Sequence, residues 1–245
     1  MSEYPYVEVV EYPKAIRLID SGWNDAEPVY CVRGDFSGGM YKPIGANQMI
    51  ANELYGAINA NRDFFRPWLP WVDSVKSPAD EMPIVESLAD RTTCKYYLRL
   101  NGWLTGVVGV VREDKTTGTM EIGYWHDPRY NGHGVMTWAV GKAEMLCFLY
   151  GDAKKVEIRC ATENKRSRRI PERLGYRQEC ILPAAEKMPS GVVHDIVVYS
   201  KTLSEWLERP TGLQNVHWIW PPKSYLYQWE KYHKLKSEWE KGKQK

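Results

Sequence analysis

No run of about 18 apolar residues occurs anywhere in the 245-residue chain, so hydropathy gives no expectation of a membrane-spanning helix. Charge of one sign is also lacking: 33 Lys and Arg stand against 31 Asp and Glu, and a net charge of +2 creates no global field for nucleic acid. The five cysteines, Cys31, Cys94, Cys147, Cys160 and Cys180, show no CxxC or Cys/His spacing, so neither a metal site nor a disulfide is expected. Residues 1–14 carry acidic residues and prolines where a secretory signal has a basic end and an apolar stretch, which makes a cytoplasmic location the expectation. Repeats and low-complexity tracts are missing too. What remains, at 43% hydrophobic and 26% charged, is ordinary globular composition, enough for one sizeable core with terminal additions. Aromatic residues are abundant, with 11 Trp and 16 Tyr, many of them near Trp68 and in the last thirty or so positions.

Residues 1–45 carry turn signals at Ser21-Gly22, Ser37-Gly38-Gly39 and Lys42-Pro43 around short apolar stretches at Ala15 to Ile19 and Pro28 to Val32, which reads as strands and loops. Ile50, Leu54, Ala57 and Ile58 recur at helical spacing and predict a helix from Asn47 to about Arg62. Pro67 and Pro70 then bar a regular helix, and a second helix is expected over Ala79 to Arg91. Strands follow at Lys95 to Leu100 and Trp103 to Val111 around Asn101-Gly102, a strong hairpin signal, and at Thr119 to His126. A glycine-containing loop leads into a helix at Val135 to Tyr150. Beyond it come a strand at Lys154 to Cys160, a helix at Asn164 to Leu174 closed by Gly175, and strands at Tyr176 to Leu182 and Val192 to Ser200. A meander followed by alternating strands and helices predicts an α/β fold: a mixed sheet with helices on both faces.

The most informative stretch runs from Glu121 to Thr137. A strand passing through Gly132 and Gly134 into a helix presents free backbone N–H groups at the helix N-terminus, a ready site for a pyrophosphate. Glycine there lets the backbone approach phosphate oxygens closely.

Arg129, Gly132 and Gly134 fit the pattern Arg/Gln-x-x-Gly-x-Gly/Ala, and this stretch resembles the acyl-CoA signature of the GNAT superfamily of N-acetyltransferases. The segment ending in Leu174-Gly175-Tyr176 carries the similar Asn164-x-x-Ser167 element. Arg66-Pro67-Trp68-Leu69-Pro70-Trp71 and His194 to Ser200 resemble the RimJ/RimL branch, and together these motifs span roughly 62–207 in the family's order. Asn131 stands where many members carry a basic residue. The resemblance implies a GNAT fold with a mixed, mostly antiparallel sheet, divided as an N-terminal addition packed on the domain at 1–45, the acetyltransferase domain at 46–207 and an aromatic-rich tail with a helix at 208–245.

It also implies acetyl-CoA as co-substrate, no metal, and transfer of acetyl to a primary amine by direct attack in a ternary complex. Tyr124, Trp125 and His126 would line pantetheine and offer N–H groups from a splayed or bulged strand to the thioester oxygen. Arg129, Asn131, Gly132, His133, Gly134, Val135 and Met136 would surround the pyrophosphate, Asn164 would reach the pantetheine amides, and Arg169 belongs to a basic cluster that the 3′-phosphate explains in part. An ammonium has no lone pair, so a base is required, and Glu121 is the candidate. Ser167 would protonate the leaving thiolate, with Tyr176 in reserve. Phe65, Trp68, Trp71 and His194 would face the acceptor, either a protein or peptide N-terminus or a small-molecule amine. The rival reading is a catalytically silent CoA-binding scaffold. Partners are then the amine-bearing acceptor alone, without nucleic acid or membrane, for a monomer or homodimer. In the tail, Tyr225, Trp229, Tyr232 and Trp239 form a helical stripe with Leu235 beside it and Lys236 interrupting it. The stripe would cover the domain, join a second subunit or close one end of the acceptor groove.

Overall fold

The computed structural model describes residues 29–33, 36–43, 45–90, 93–212 and 223–243, with side chains placed from Met40 to Gly212 and from Glu230 onward. The expected strand at Ala15 to Ile19 and the Ser21-Gly22 turn lie outside the described residues. Among the described residues, eight strands form one sheet: β1 (Val29–Arg33), β2 (Phe36–Tyr41), β3 (Lys95–Leu100), β4 (Trp103–Asp114), β5 (Thr119–His126), β6 (Lys155–Ala161), β7 (Arg177–Lys187) and β8 (Val193–Thr202). Their spatial order is β1-β2-β3-β4-β5-β6-β8-β7, and only β5 and β6 pair in parallel.

The hairpin at Asn101-Gly102 forms as the dipeptide predicts. Both residues take positive φ, 50° and 86°, which matches the turn to strand twist, and Leu100 pairs with Trp103. Helix α1 (Gln48–Ala60) starts where Asn47 accepts hydrogen bonds from the N–H groups of Met49 and Ile50. The predicted second helix divides into a 3-10 turn at Pro78–Glu81 and helix α3 (Met82–Ala89), after a short α2 (Arg62–Phe65). Pro83 falls in the first turn of α3, where a missing N–H costs no helical hydrogen bond.

Two expectations are corrected. Ser37-Gly38-Gly39 is not a turn; it lies inside β2, paired with β1 on one side and β3 on the other. Ladder hydrogen bonds on both sides outweigh the weak strand propensity of glycine. The strand expected to end at Leu182 continues through Pro183 to Lys187, because β7 is an edge strand and its register shifts between Leu182 and Glu186. A proline without an N–H is tolerated at such an edge.

Strand alternation divides the core between the two faces of the sheet. Leu98, Val108, Met120 and Ile122 face helix α4 (Val135–Leu149), whereas Tyr97, Leu104 and Val107 face α1 and α3. Helix α4 is buried on nearly every side and carries two buried charges, Lys142 and Glu144. Glu144 pairs with Lys201 on β8 at 2.7 Å and accepts a hydrogen bond from Thr211, while Lys142 donates to the carbonyl of Gly212. This charged knot ties the segment after helix α6 (Leu203–Glu208) to the core.

The tail helix α7 (Lys223–Lys243) docks on the same face. Tyr232, Leu235 and Trp239 pack against the core, Tyr232 meets Trp206 edge-on at 5.8 Å, and the Trp239 indole N–H donates to Ser204 at 2.9 Å. Lys236 does not interrupt the stripe. Its ammonium lies 4.5 Å from the centroid of the Trp239 ring and donates to the carbonyl of Leu207 near the end of α6. The side chains of Tyr225 and Trp229 lie outside those described.

Candidate functional site

The parallel strands β5 and β6 pair only over Thr119–Glu121 and Lys155–Glu157. Beyond those positions no ladder joins Ile122–His126 to Ile158–Ala161, so the sheet splays open at the carboxyl ends of the two strands. A register shift between Val110 and Arg112 places an extra residue, Val111, opposite the last paired position of β5. The irregularity thus lies on β4, while β5 is splayed over Tyr124 to His126, one of the two forms expected there. Splaying leaves one edge of the Tyr124–His126 backbone without a strand partner and thus able to pair with an extended ligand.

The loop after β5 leads into α4 through two glycines. Gly132 and Gly134 take φ of 87° and 77°, a region costly for residues with a Cβ, and Gly134 caps α4 without any side-chain hydrogen bond. The first-turn N–H groups of α4 therefore have no capping side chain. Asp127 is fully buried and accepts hydrogen bonds from the Arg129 backbone and guanidinium; burial would raise its pKa, but the bonds and charge of Arg129 hold it below the usual value. Arg129 thus braces the loop through Asp127.

A continuous cleft of about 870 Å³ runs from this splay to the early helices. Tyr124, Trp125, His126, Asn131, Met136, Asn164 and Ser167 line one part, and Phe65, Trp68 and Trp71 line another, with Glu121 also on its wall. Arg129, Gly132, His133, Gly134, Val135 and Arg169 are not among the lining residues. Tyr176 is also absent from the wall. It is buried against the Glu144–Lys201 pair, with the Lys201 ammonium 4.7 Å from its ring centroid, and burial pushes its hydroxyl well above the ordinary tyrosine range. That position removes it from contact with a ligand in the cleft.

Tyr124, rather than Tyr176, is the tyrosine that lines the cleft beside Ser167. Its hydroxyl lies 3.1 Å from both the Ser167 hydroxyl and the Ser167 carbonyl, and burial raises its pKa. Ser167 itself sits in the first turn of helix α5 (Lys165–Leu174), where its N–H donates to Asn164 at 3.2 Å. Asn164 is consequently both the helix cap and a wall of the cleft. His126 is nearly buried, and desolvation lowers its pKa to about 4, so the ring is neutral at ordinary pH.

Glu121 is held by two guanidinium groups, Arg112 at 2.6 Å and Arg159 at 3.5 Å. His194 bridges two elements: its Nε2 lies 3.0 Å from the Pro67 carbonyl, its Nδ1 3.2 Å from the Glu163 carboxylate, and its ring packs on Trp68 at 5.6 Å. It anchors the aromatic loop rather than facing the cleft. Arg62 staples the same loop from below through the carbonyls of Val72 and Val75. Within the basic cluster, Arg168 turns inward to the Tyr199 hydroxyl and the Thr162 carbonyl, at 3.0 Å each.

Cys160 and Glu81 are among the lining residues that the sequence did not single out. Cys160 is buried beside Ser167, and desolvation lifts its thiol to about 11. Glu81 is 3% exposed and burial, with Asp80 beside it, raises its carboxyl from 4.5 to about 7. Neither sits in a motif; an acidic residue ending a Ser-Pro-x-Asp turn reads from sequence as a helix-entry charge. No residue of α7 with a described side chain lines the cleft, so the described part of the tail does not close the groove.

Residues 49–177, more than half of the chain, match the family model described as an acetyltransferase (GNAT) domain. The Bacillus subtilis (strain 168) protein named "Putative ribosomal N-acetyltransferase YdaF" is 32% identical over 119 residues, 48% of this chain and 64% of that protein. The chain thus aligns with less than two thirds of that relative's length. The ribosomal-protein-serine acetyltransferase of Escherichia coli (strain K12) is 26% identical over 61% of this chain and 86% of its own length. Among solved structures, the microcin C7 self-immunity acetyltransferase MccE, in complex with acetyl-CoA and AMP, is similar with a TM-score of 0.60 and 28% identity, covering 68% of this chain and 92% of that one.

Proposed function

The chain belongs to the GNAT acetyltransferase family, and from that premise we propose that it transfers acetyl from acetyl-CoA to the α-amino group of a protein or peptide N-terminus. The observation that carries this reading is the continuity of the cleft. One end has the splayed β5 edge with Asn131 and Met136, which flank the two positive-φ glycines and the uncapped start of α4, and the other has an aromatic and acidic wall. The first end fits the pantetheine and pyrophosphate of CoA: ladder bonds for the amides, N–H groups for the phosphates. Two relatives are named as ribosomal acetyltransferases, which supports an amino terminus as acceptor.

In this reading the amine attacks the thioester carbon, the C–N bond forms and the C–S bond breaks. N–H groups of Tyr124 to His126 stabilise charge on the carbonyl oxygen. The Tyr124–Ser167 hydroxyl pair delivers a proton to the departing sulfur, Tyr124 with its high proton affinity being suited to hold that proton until the thiolate forms. Glu121 is the base that the family resemblance suggests, on the cleft wall and held by Arg112 and Arg159.

A small-molecule amine is the second reading, favoured by Trp68 and Trp71, whose flat faces suit a planar acceptor, and by the AMP-bound MccE neighbour. Thiol release from acetyl-CoA, measured against peptides, polyamines and amino-acid derivatives, tests both. Release with peptide N-termini supports the first reading. Release only with small amines favours the second, and acetyl-CoA binding without release from any amine identifies a silent scaffold.

A further inference from the structure

Glu81 is the acidic group in this cleft that the fold leaves uncompensated. It lines the cleft at 3% exposure, and among the described residues it has no hydrogen bond and no ion pair. It stands at the N-cap position of α3, yet its side chain does not cap that helix. The other carboxylates on the wall are engaged or wetter. Asp80 accepts from the N–H groups of Lys76 and Ser77, Glu121 is paired with Arg112 and Arg159, and Glu163 meets His194; Glu186 is less buried than Glu81, and although desolvation raises its carboxyl, the charge of His194 offsets part of that rise. The cations are likewise committed elsewhere: Lys95 donates to Ser87, Arg159 pairs with Glu157 and Glu121, and Arg166 lies over the Phe64 ring. Lys165 lines the wall on α5 and forms no ion pair with Glu81.

A carboxylate buried without a partner is costly, and the missing partner must be a cation or a proton. On the reading given under "Proposed function", the ligand that enters this cleft is itself a cation, because a free amino terminus is an ammonium below its pKa of about 8. We infer that Glu81, rather than Glu121, receives the acceptor's ammonium and takes its proton before attack. The ammonium N–H proton passes to the Glu81 carboxylate and frees the lone pair. The nitrogen then bonds to the thioester carbon, and the second proton it loses as the C–S bond breaks balances the one the sulfur gains. Ile84 and Leu88 of α3 also line the cleft and make its wall beside Glu81 apolar. With a carboxyl value of about 7, Glu81 is half ionised near neutral pH and so is matched to the task.

The test is the pH dependence of kcat/KM for thiol release with full-length wild type, Glu81→Gln and Glu121→Gln, using a peptide amine from pH 6 to 9.5. Wild type should work best between about pH 7 and 8, where ionised Glu81 meets the ammonium. Glu81→Gln should fall roughly 10²-fold at pH 7 and approach wild type at pH 9.5, where the amine is already neutral in solution. An unchanged profile, a loss uniform across pH, or a pH 7 loss confined to Glu121→Gln overturns the assignment. The acetyl-CoA-induced melting shift, equal in wild type and Glu81→Gln, verifies the fold; should Gln prevent folding, Glu81→Asp must retain the acid limb. If wild type releases no thiol with any amine, the acetyltransferase reading itself fails, an outcome distinct from an active wild type indifferent to Glu81.

Discussion

Replacing Glu81 by Gln should make the protein more stable at pH 8 and leave it nearly unchanged at pH 4.5. Burial raises the Glu81 carboxyl in the folded state from 4.5 to about 7. The folded protein therefore binds this proton more tightly than the unfolded chain does. Its contribution to stability is present in full below the unfolded value of 4.5 and is lost as pH rises through about 7. Two and a half units at about 1.36 kcal/mol each set a ceiling of about 3 kcal/mol, and water entering the cleft reduces it to roughly half. For a chain of this size each kcal/mol moves Tm by about 2–4 °C, so Glu81→Gln should gain about 3–12 °C over wild type at pH 8. Any fixed cost of burying the amide cancels when the two pH values are compared. Thermal melts followed by circular dichroism at pH 4.5, 6 and 8 measure the difference. A Tm gap that stays constant from pH 4.5 to 8 would refute the claim that an unpartnered charge is buried there.

Gly132→Glu should fold, because a Cβ there meets nothing within 4 Å and the positive φ costs only about 1–2 kcal/mol, yet it should lose the acetyl-CoA-induced rise in Tm. Retention of the full shift would place the pyrophosphate elsewhere. Tyr124→Phe, read by single-turnover thiol release, should lower kcat about 10- to 10³-fold with acetyl-CoA affinity preserved, and an unchanged kcat would leave Ser167 or water to protonate the sulfur. Lys201→Met strands the Glu144 carboxylate at 0% exposure and should cost about 3–5 kcal/mol in denaturant unfolding. Adding Glu144→Gln should recover much of that loss; equal instability of single and double variants would mean the pair is not coupled. Deleting residues 223–245 should lower Tm through the lost Tyr232–Trp206 and Trp239–Ser204 contacts while acceptor KM stays fixed, and a changed KM would return the tail to the groove.

What the sequence determined by itself was whatever depends on neighbours along the chain. A helix starting near Asn47, the Asn101-Gly102 hairpin, Thr119–His126 as a strand and Gly134 at the mouth of α4 are local matters of torsion angle and side-chain period, and the structure carries each of them. The glycine loop was legible for the same reason: a positive φ before a helix leaves a mark in the residue type. Tertiary structure decided what depends on partners remote in sequence. Ser37-Gly38-Gly39 reads as a turn until two neighbouring strands claim its backbone, and Pro183 reads as a stop until β7 becomes an edge. Tyr176 and Tyr124 are both tyrosines near motifs, and only packing buries the first on Glu144 and sets the second against Ser167. The same holds for charge. The sequence singles out Glu121 by its motif but shows the countercharges of neither glutamate: Arg112 and Arg159 reach Glu121 across the sheet, and no cation of the described residues reaches Glu81. A carboxylate's role depends on desolvation and on which countercharges the fold delivers, and neither quantity exists until the chain has closed around it.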